Sequence, residues 1–227
     1  MHIQRATLDT CSQATGTVVV IDVIRAFTTA AFAFAAGAVD VTFAGTVEDA
    51  LALRERMPGA LVMGEVNGLP VAGFDLGNSP SAMMGVSLSN RHLIQRTSAG
   101  TQGIVRSTKA DFVLAASFCC AAATARYINR LSPSTLTLVP TAVGPGDEGD
   151  EDIACADYIE ALLGGAQPDA GPFVQRVRNS AAGRLFGDPA RPEFPASDLE
   201  CCVDVDRFSF AMPVTRRDGL LVMQASM

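Results

Sequence analysis

The chain has 227 residues, of which 48% are hydrophobic and 18% charged, a composition typical of a globular protein rather than a disordered one. Its 24 acidic and 17 basic residues give a net charge of −7, which disfavours the phosphate-neutralising surface that nucleic acid binding requires. We therefore expect no nucleic acid partner.

The basic side chains restrict the chemistry further. Lys109 is the single lysine, and it lies in a polar stretch typical of a solvated surface, which disfavours a Schiff-base enzyme. The two histidines are His92 and His2, and we expect His2 to fray with the terminus, so a catalytic triad would depend on His92. The groups that remain plentiful are carboxylates, hydroxyls, arginines and glycine backbone, which hold hard cations and phosphate.

Cysteine usage and hydropathy indicate the compartment. Of the six cysteines, four form the adjacent pairs Cys119-Cys120 and Cys201-Cys202, and no CxxC occurs, so buried reduced thiols are expected rather than disulfides or zinc. The N-terminus lacks the pattern of a signal peptide. The longest nearly apolar run, Ala26–Val39, is too short to span a bilayer. We expect a cytoplasmic protein without a membrane partner.

The first part of the chain alternates strand and helix patterns. A β-branched run over Val18–Ile21 predicts a strand buried on both faces, and Val39–Phe43 predicts a second one. Helices are predicted over Arg25–Ala36, followed by the stop signal Gly37, and over Val47–Arg56, where acidic residues open the first turn.

The same alternation recurs later, with strands predicted over Asp111–Ala115 and Leu136–Val139 and helices over Cys119–Leu131 and Glu151–Leu163. This order predicts an α/β fold, layered α/β/α, with a mostly parallel or mixed sheet. Residues 1–227 form one compact unit in this interpretation, and similar halves over residues 15–105 and 106–227 are left open.

Other segments are less regular. Met63–Gly103 and Gly164–Pro195 are rich in turn-forming residues, and long ordered loops of this kind are usually functional. Asp204–Pro213 and Gly219–Met223 are candidates for further strands.

Asp22 is the first candidate site residue. It follows four apolar residues at the carboxyl end of a predicted core strand, where open α/β sheets place their ligands. A buried carboxylate needs compensation, which Arg25 or a bound cation could supply. A purely structural pair between Asp22 and Arg25 is the alternative.

Two glycine-rich segments offer further ligand groups. Gly64–Pro70 and Gly73–Pro80 combine carboxylates and amides with glycines that allow close backbone approach, although ordinary turns have the same composition. The segment Thr97–Gly103 offers hydroxyls and N–H groups suited to phosphate oxygens, and it also fits an ordinary helix start.

Gly144–Gly149 matches G-x-G-x-x-G, but the acidic residues around it would repel a pyrophosphate. A nucleotide-dependent oxidoreductase would depend on this match and on NAD binding. The charge instead suits Mg²⁺, with Glu151 and Asp152 as candidates, or a solvated acidic loop that helps a helix to begin.

Several segments together carry a more specific signal, and they are, in chain order, Val18–Ala26, Gly64-Glu65, Gly73–Pro80, Thr97–Thr101 and Ser117-Phe118. Their order and spacing resemble the 2-phosphosulfolactate phosphatase family. The resemblance implies a Mg²⁺-dependent phosphatase that converts 2-phospho-3-sulfolactate to sulfolactate and phosphate, a step in coenzyme M synthesis. The implied partner is a small phosphorylated metabolite, and a homodimer is left open.

The chain departs from that family at Val66, where an Arg is frequent, and at Ala99, where an Asn is frequent. These departures motivate a second hypothesis, a non-catalytic protein that binds a small anion or a metal on the same scaffold.

The main hypothesis assigns roles to named residues. Candidate catalytic residues are Asp22, Arg25 and Glu65. Candidate metal ligands are Asp22, Glu65, Asp75, Glu151 and Asp152. Candidate phosphate or substrate contacts are Arg25, Asn78, Ser79, Ser98, Gly100, Thr101 and Ser117. Whether Asp22 is a nucleophile or a metal ligand is left open.

Overall fold

A computed structural model describes residues 1–141 and 149–227, and in that part of the chain nine strands form one mixed sheet. The strands are β1 (His2–Arg5), β2 (Thr17–Ile21), β3 (Asp40–Phe43), β4 (Leu61–Gly64), β5 (His92–Arg96), β6 (Phe112–Ala116), β7 (Thr135–Pro140), β8 (Met212–Arg217) and β9 (Leu220–Met223). The α-helices are α1 (Ala26–Ala35), α2 (Val47–Arg56), α3 (Pro80–Met83), α4 (Gly100–Arg106), α5 (Ala121–Leu131), α6 (Asp150–Leu163), α7 (Gly171–Asn179) and α8 (Ala196–Cys202).

The sheet consists of two parallel blocks joined by a hairpin. Its strand order is β1-β7-β2-β6-β8-β9-β3-β5-β4. The first block contains β1, β7, β2 and β6, and the second contains β3, β5 and β4. The steps from β6 to β8, from β8 to β9 and from β9 to β3 are antiparallel, so the two blocks run in opposite directions. The predicted α/β fold with a mixed sheet is confirmed, and β2 lies between β6 and β7 rather than beside β3.

Twist brings the two blocks back together at their carboxyl ends. In a flat sheet the carboxyl ends of β2 and β5 would lie at opposite edges, because the two strands are antiparallel. The strand order places β5 five steps from β2, and a twist of about 20–25° per strand accumulates to roughly 100–125° over that distance. The result is visible in a hydrogen bond of 2.8 Å from the Gly100 N–H, after β5, to the Asp22 carboxylate, after β2. The site lies at this junction.

Helix α1 belongs to an apolar cluster that contains strand residues of both sheet blocks. Every residue of α1 except the last is buried. The helix therefore presents no polar face to solvent, which is typical of a helix with apolar residues around its whole circumference. Phe27 contacts Phe43 edge to face, with ring centroids 6.3 Å apart. On the other face of the first block, α5, α6, α7 and α8 cover a second apolar cluster that includes Val19, Ile21 and Leu138.

Local sequence signals account for most of these elements. The strands β2 and β3 and the helices α1, α2, α5 and α6 lie within one to two residues of their predicted bounds. Helix α2 begins with a reciprocal capping box between Thr46 and Asp49.

All six cysteines are buried and free, as predicted. Among the described residues, no helix combines the length and apolarity needed to cross a bilayer.

Three predictions fail in part. The expectation that His2 frays is wrong, because β1 pairs in parallel with β7 and places His2 opposite Thr135. The strand expected over Asp204–Pro213 begins only at Met212, since a tight turn at Asp206, with a φ of 55°, precedes it. The segments treated as loops contain β5, α3, α4 and α7.

The G-x-G-x-x-G match lies, except for Gly149, outside the described residues.

Gly64 provides a test of the β4–β5 packing beneath the site. It has a φ of +138°, and a Cβ at this position would overlap the carbonyl oxygen of Arg96 on β5. We expect Gly64→Ala to lower the free energy of unfolding by at least about 2 kcal/mol, because backbone strain and overlap add. Urea denaturation measures the loss.

The control is Gly59→Ala. Gly59 has a φ of +86° but no neighbouring atom within 4 Å, so it reports the backbone cost alone, about 1 kcal/mol. Equal losses for the two variants would contradict the close approach of β4 to β5.

Candidate active site

Asp22 lies at the base of the site, directly after β2, with 4% of its surface exposed. Its Oδ1 accepts the N–H of Ala26 at 2.9 Å, and its Oδ2 accepts the N–H of Gly100 at 2.8 Å. The pKa of Asp22 is raised to about 6, chiefly by burial and also by the nearby charge of Glu65, while these N–H groups act in the opposite direction. The carboxylate is therefore fixed in place at the junction of the two sheet blocks.

Glu65 is the second buried carboxylate, and it follows β4 at the carboxyl end of the second block. Its Oε1 accepts the N–H of Ser98, and its Oε2 accepts the N–H of Gly68 and the hydroxyl of Ser98, the latter at 3.2 Å. The loop between β5 and α4 thus donates to Glu65 through Ser98 and to Asp22 through Gly100. The N–H groups that we predicted to face phosphate bind these two carboxylates instead.

A cavity of about 420 Å³ brings the two carboxylates together with several predicted contacts. Its walls are formed by Asp22, Ile24, Arg25, Glu65, Asn67, Gly68, Asn78, Ser98, Ala99, Ala182, Leu185, Phe186 and Phe194. Asn78 is 8% exposed, and its Oδ1 has no hydrogen-bond partner among the described residues. An unpartnered buried amide oxygen at a cavity wall is suited to binding a ligand, because leaving it unpaired costs free energy.

Arg25 is also in this wall, but its ion-pair partner is not Asp22. Its Nη1 donates to Asp198 Oδ2 at 2.8 Å, and both side chains are buried. The alternative of a structural Asp22–Arg25 pair is therefore wrong. Asp198 was not among the predicted site residues, because it lies far along the chain in α8 and belongs to no motif. Its only signal in the sequence is that of an acidic residue in the first turn of a helix.

Asp152 and Glu151 open α6 and are both buried. Asp152 accepts the N–H of Val23 at 2.8 Å and the N–H and hydroxyl of Thr141 at 3.0 and 3.1 Å. Burial, and then the charge of Asp22, raises the pKa of Asp152 well above its usual value. Neither residue belongs to the cavity wall. Asp152 instead holds the loop after Asp22 through its bond to the N–H of Val23.

Four other predicted residues lie outside the cavity wall. The carboxylate of Asp75 accepts the N–H of Val62, at 2.8 Å, on the far part of β4. The hydroxyl of Thr101 is hydrogen-bonded to Thr97, and that of Ser117 to Thr28. The hydroxyl of Ser79 donates to Asp198 at 2.8 Å, beside the cavity. Those hydroxyls hold the loops in place.

Comparison with known proteins assigns the chain to a class of enzyme. The family model described as 2-phosphosulpholactate phosphatase matches residues 3–216. A probable 2-phosphosulfolactate phosphatase of Bacillus subtilis is 33% identical over 202 residues, which cover 88% of this chain and 87% of that protein.

Two further relatives carry the same name. The protein of Deinococcus radiodurans is 37% identical over 169 residues, covering 72% of this chain and 70% of its own. That of Thermus thermophilus is 33% identical over 177 residues, covering 76% and 71%. By these matches the chain is a phosphoric monoester hydrolase, which acts on a small phosphorylated substrate. The chain belongs to the 2-phosphosulpholactate phosphatase family.

Gly100 tests how closely Asp22 depends on α4. A Cβ on Gly100 would lie 2.8 Å from Asp22 Oδ2 and 3.0 Å from the Cβ of Ala26. Helix propensity alone would make Gly100→Ala stabilising by about 1 kcal/mol, whereas overpacking costs about 1–3 kcal/mol. We expect a net loss of stability and of phosphatase activity, measured by thermal unfolding and phosphate release.

Gly85→Ala is the matched control, because its nearest neighbour is 3.9 Å away. We expect it to leave both quantities unchanged. A Gly100→Ala variant that is as stable and active as the control would refute the tight contact with Asp22.

Proposed function

We propose that this chain is a Mg²⁺-dependent phosphatase that hydrolyses 2-phospho-3-sulfolactate to sulfolactate and phosphate at the cavity around Asp22. The observation that supports the location is the gathering of Asp22, Glu65, Arg25 and Asn78 in one cavity wall. The support for the substrate is the name shared by the relatives.

The donor set of this cavity suits a hard cation. Magnesium is usually bound by one or two protein carboxylates together with water and substrate phosphate. Asp22 and Glu65 would supply the carboxylates, and the unpartnered Oδ1 of Asn78 would add a neutral oxygen. Among residues 1–141 and 149–227, no group of three or more His, Cys, Asp or Glu is arranged to hold a metal. The proposed ligands, two carboxylates and one amide, include only two residues of these types and so do not form such a group. Bound Mg²⁺ would polarise a phosphoryl oxygen as a Lewis acid.

The protein's own groups would then position the ester. The guanidinium of Arg25 contributes positive charge beside the two carboxylates, and Asn78 contributes an amide at the same wall. Ile24, Leu185 and Phe186 provide apolar surface that limits the access of water to the phosphoryl group. Productive orientation of the phosphorus is the main contribution that such a wall can make.

Two routes are consistent with the fixed carboxylate of Asp22. In the first, an Asp22 oxygen attacks phosphorus, the bond to the ester oxygen breaks with protonation of the leaving alkoxide, and water then cleaves the acyl phosphate. In the second, water attacks phosphorus directly, the same ester bond breaks, and the proton lost by the water balances the one gained by the leaving oxygen; Asp22 would then be a ligand of the Mg²⁺. Trapping with hydroxylamine detects the acyl phosphate of the first route.

Asp22→Asn is the direct test of the site. We expect phosphate release in the presence of Mg²⁺ to fall at least about 100-fold, because either role requires the carboxylate. Asparagine can accept only one of the two N–H bonds that Asp22 accepts, from Ala26 and from Gly100, so we expect a lower melting temperature. Activity is therefore compared at a temperature at which circular dichroism shows the variant to be folded. The control is Asp9→Asn, at a side chain that is 94% exposed. A folded, active Asp22→Asn variant would exclude both roles.

The substrate is tested with a panel of phosphate esters, with and without a chelator. We expect 2-phosphosulfolactate to be hydrolysed faster than phospholactate, which lacks the sulfonate, and both activities to disappear when Mg²⁺ is removed. Activity that persists in the chelator would refute the metal dependence. Faster hydrolysis of phospholactate would refute the assigned substrate.

The second candidate function is a non-catalytic binder of a small anion. It is favoured by one feature of the cavity, namely that Ala99, whose side chain has no polar atom, lies in the wall. Calorimetry with phosphate and Mg²⁺ distinguishes the two functions: tight binding without turnover of any ester favours the binder.

A further inference from the structure

Asp198 connects two parts of the cavity wall without belonging to the wall itself. It is fully buried in α8. Its Oδ2 accepts Arg25 Nη1 at 2.8 Å. Its Oδ1 accepts the hydroxyl of Ser79 at 2.8 Å and the N–H and hydroxyl of Ser81 at 3.0 and 2.6 Å. A buried ion pair is tolerated only when its remaining polar atoms are satisfied, and here both carboxylate oxygens are.

The first connection fixes the guanidinium of Arg25. Besides the bond to Asp198, its Nη1 donates to the carbonyl of Glu193 at 2.8 Å and its Nη2 to the carbonyl of Gly68 at 3.1 Å. The rings of Phe186 and Phe194 lie 5.3 and 5.0 Å from the guanidinium carbon, which opposes its rotation. Within the described part of the chain, Nε and the second N–H of Nη2 make no hydrogen bond, so Arg25, which lies in the cavity wall, has donors that the protein itself does not use.

The second connection fixes the start of α3. Ser79 is the N-cap of this helix, and Ser81 lies in its first turn. Both are bound to Asp198, and Asn78 directly precedes them. Asn78 lies in the cavity wall, and its buried Oδ1 has no hydrogen-bond partner among the described residues. One carboxylate therefore sets the relative positions of Arg25 and Asn78, which come from different parts of the chain.

We propose that Asp198 is the positioning residue for phosphoryl binding in this enzyme: it holds the guanidinium of Arg25 and the amide of Asn78 at the spacing that a phosphoryl group requires, without touching the substrate. This inference rests on the proposed function, because it takes the cavity as the phosphate site. Misplacement of a binding group by 1 Å can reduce the rate by about 10²-fold. We therefore expect the preorganised pair to set the affinity for the phosphoryl group, in addition to its contribution to folding as a buried ion pair.

Asp198→Asn tests this role, because asparagine keeps the size and one acceptor but removes the charge that holds Arg25. With Mg²⁺ present, we expect the KM for the ester and the Kd for inorganic phosphate each to rise at least about tenfold, with a smaller change in kcat. A merely structural role would lower the melting temperature but leave KM and Kd, measured well below that temperature, unchanged.

The control is Glu200→Gln on the same helix. Glu200 forms an exposed ion pair with Arg178, at 2.7 Å, away from the cavity, so KM and Kd should stay within twofold of the wild-type values. If Asp198→Asn does not fold, the double variant Ser79→Ala, Ser81→Ala releases the start of α3 while keeping the Arg25 pair. We expect it to weaken phosphate binding at least threefold.

The outcomes separate this inference from the proposed function. A wild-type protein that binds phosphate but hydrolyses no ester refutes the function, while the Kd of the variant still tests Asp198. If the wild type is active and Asp198→Asn is folded with unchanged KM and Kd, the inference alone is refuted. If Asp198→Asn is unfolded, unchanged phosphate binding by the double variant refutes it. A wild type without phosphate binding also refutes it.

Discussion

The structure depends on the compensation of one buried carboxylate. Asp22 lies in the core at the end of β2, and Arg25, the nearest basic residue in the chain, is paired with Asp198 instead. The hydrogen-bond donors for Asp22 are the N–H of Ala26 in the first turn of α1 and the N–H of Gly100 in that of α4. These helices follow strands of opposite sheet blocks, so satisfying the carboxylate also joins the two blocks.

The same constraint explains why glycine-rich loops that are typical of phosphate binding have other partners here. A buried carboxylate without donors costs several kcal/mol, whereas a phosphate in an open cavity keeps part of its hydration. The N–H groups of Gly68, Ser98 and Gly100 therefore bind Glu65 and Asp22. The loops shape the site by holding its acidic groups, and Asn78 and Arg25 retain free polar atoms at the cavity wall.

How far the sequence predicts this structure depends on the range of the interactions involved. The elements β2 and α2 are set by their own residues, a β-branched run and a capping box, and local patterns identify them. The predicted position of Asp22, buried at the carboxyl end of β2, is confirmed, and its role stays a prediction. In contrast, Asp198 contributes through contacts with Arg25 and Ser81, far away in the chain, and no local pattern encodes such contacts. The reversal of the second block likewise depends on the late hairpin β8–β9.

The position of that hairpin has a consequence for how the chain acquires its structure. Helix α1 is synthesised early and has almost no polar face. The strands that complete the sheet around it, Met212–Arg217 and Leu220–Met223, are made last. During translation the helix must therefore wait, with its apolar surface exposed, until the ribosome has produced most of the polypeptide. Exposed apolar surface of this kind makes folding intermediates prone to aggregation.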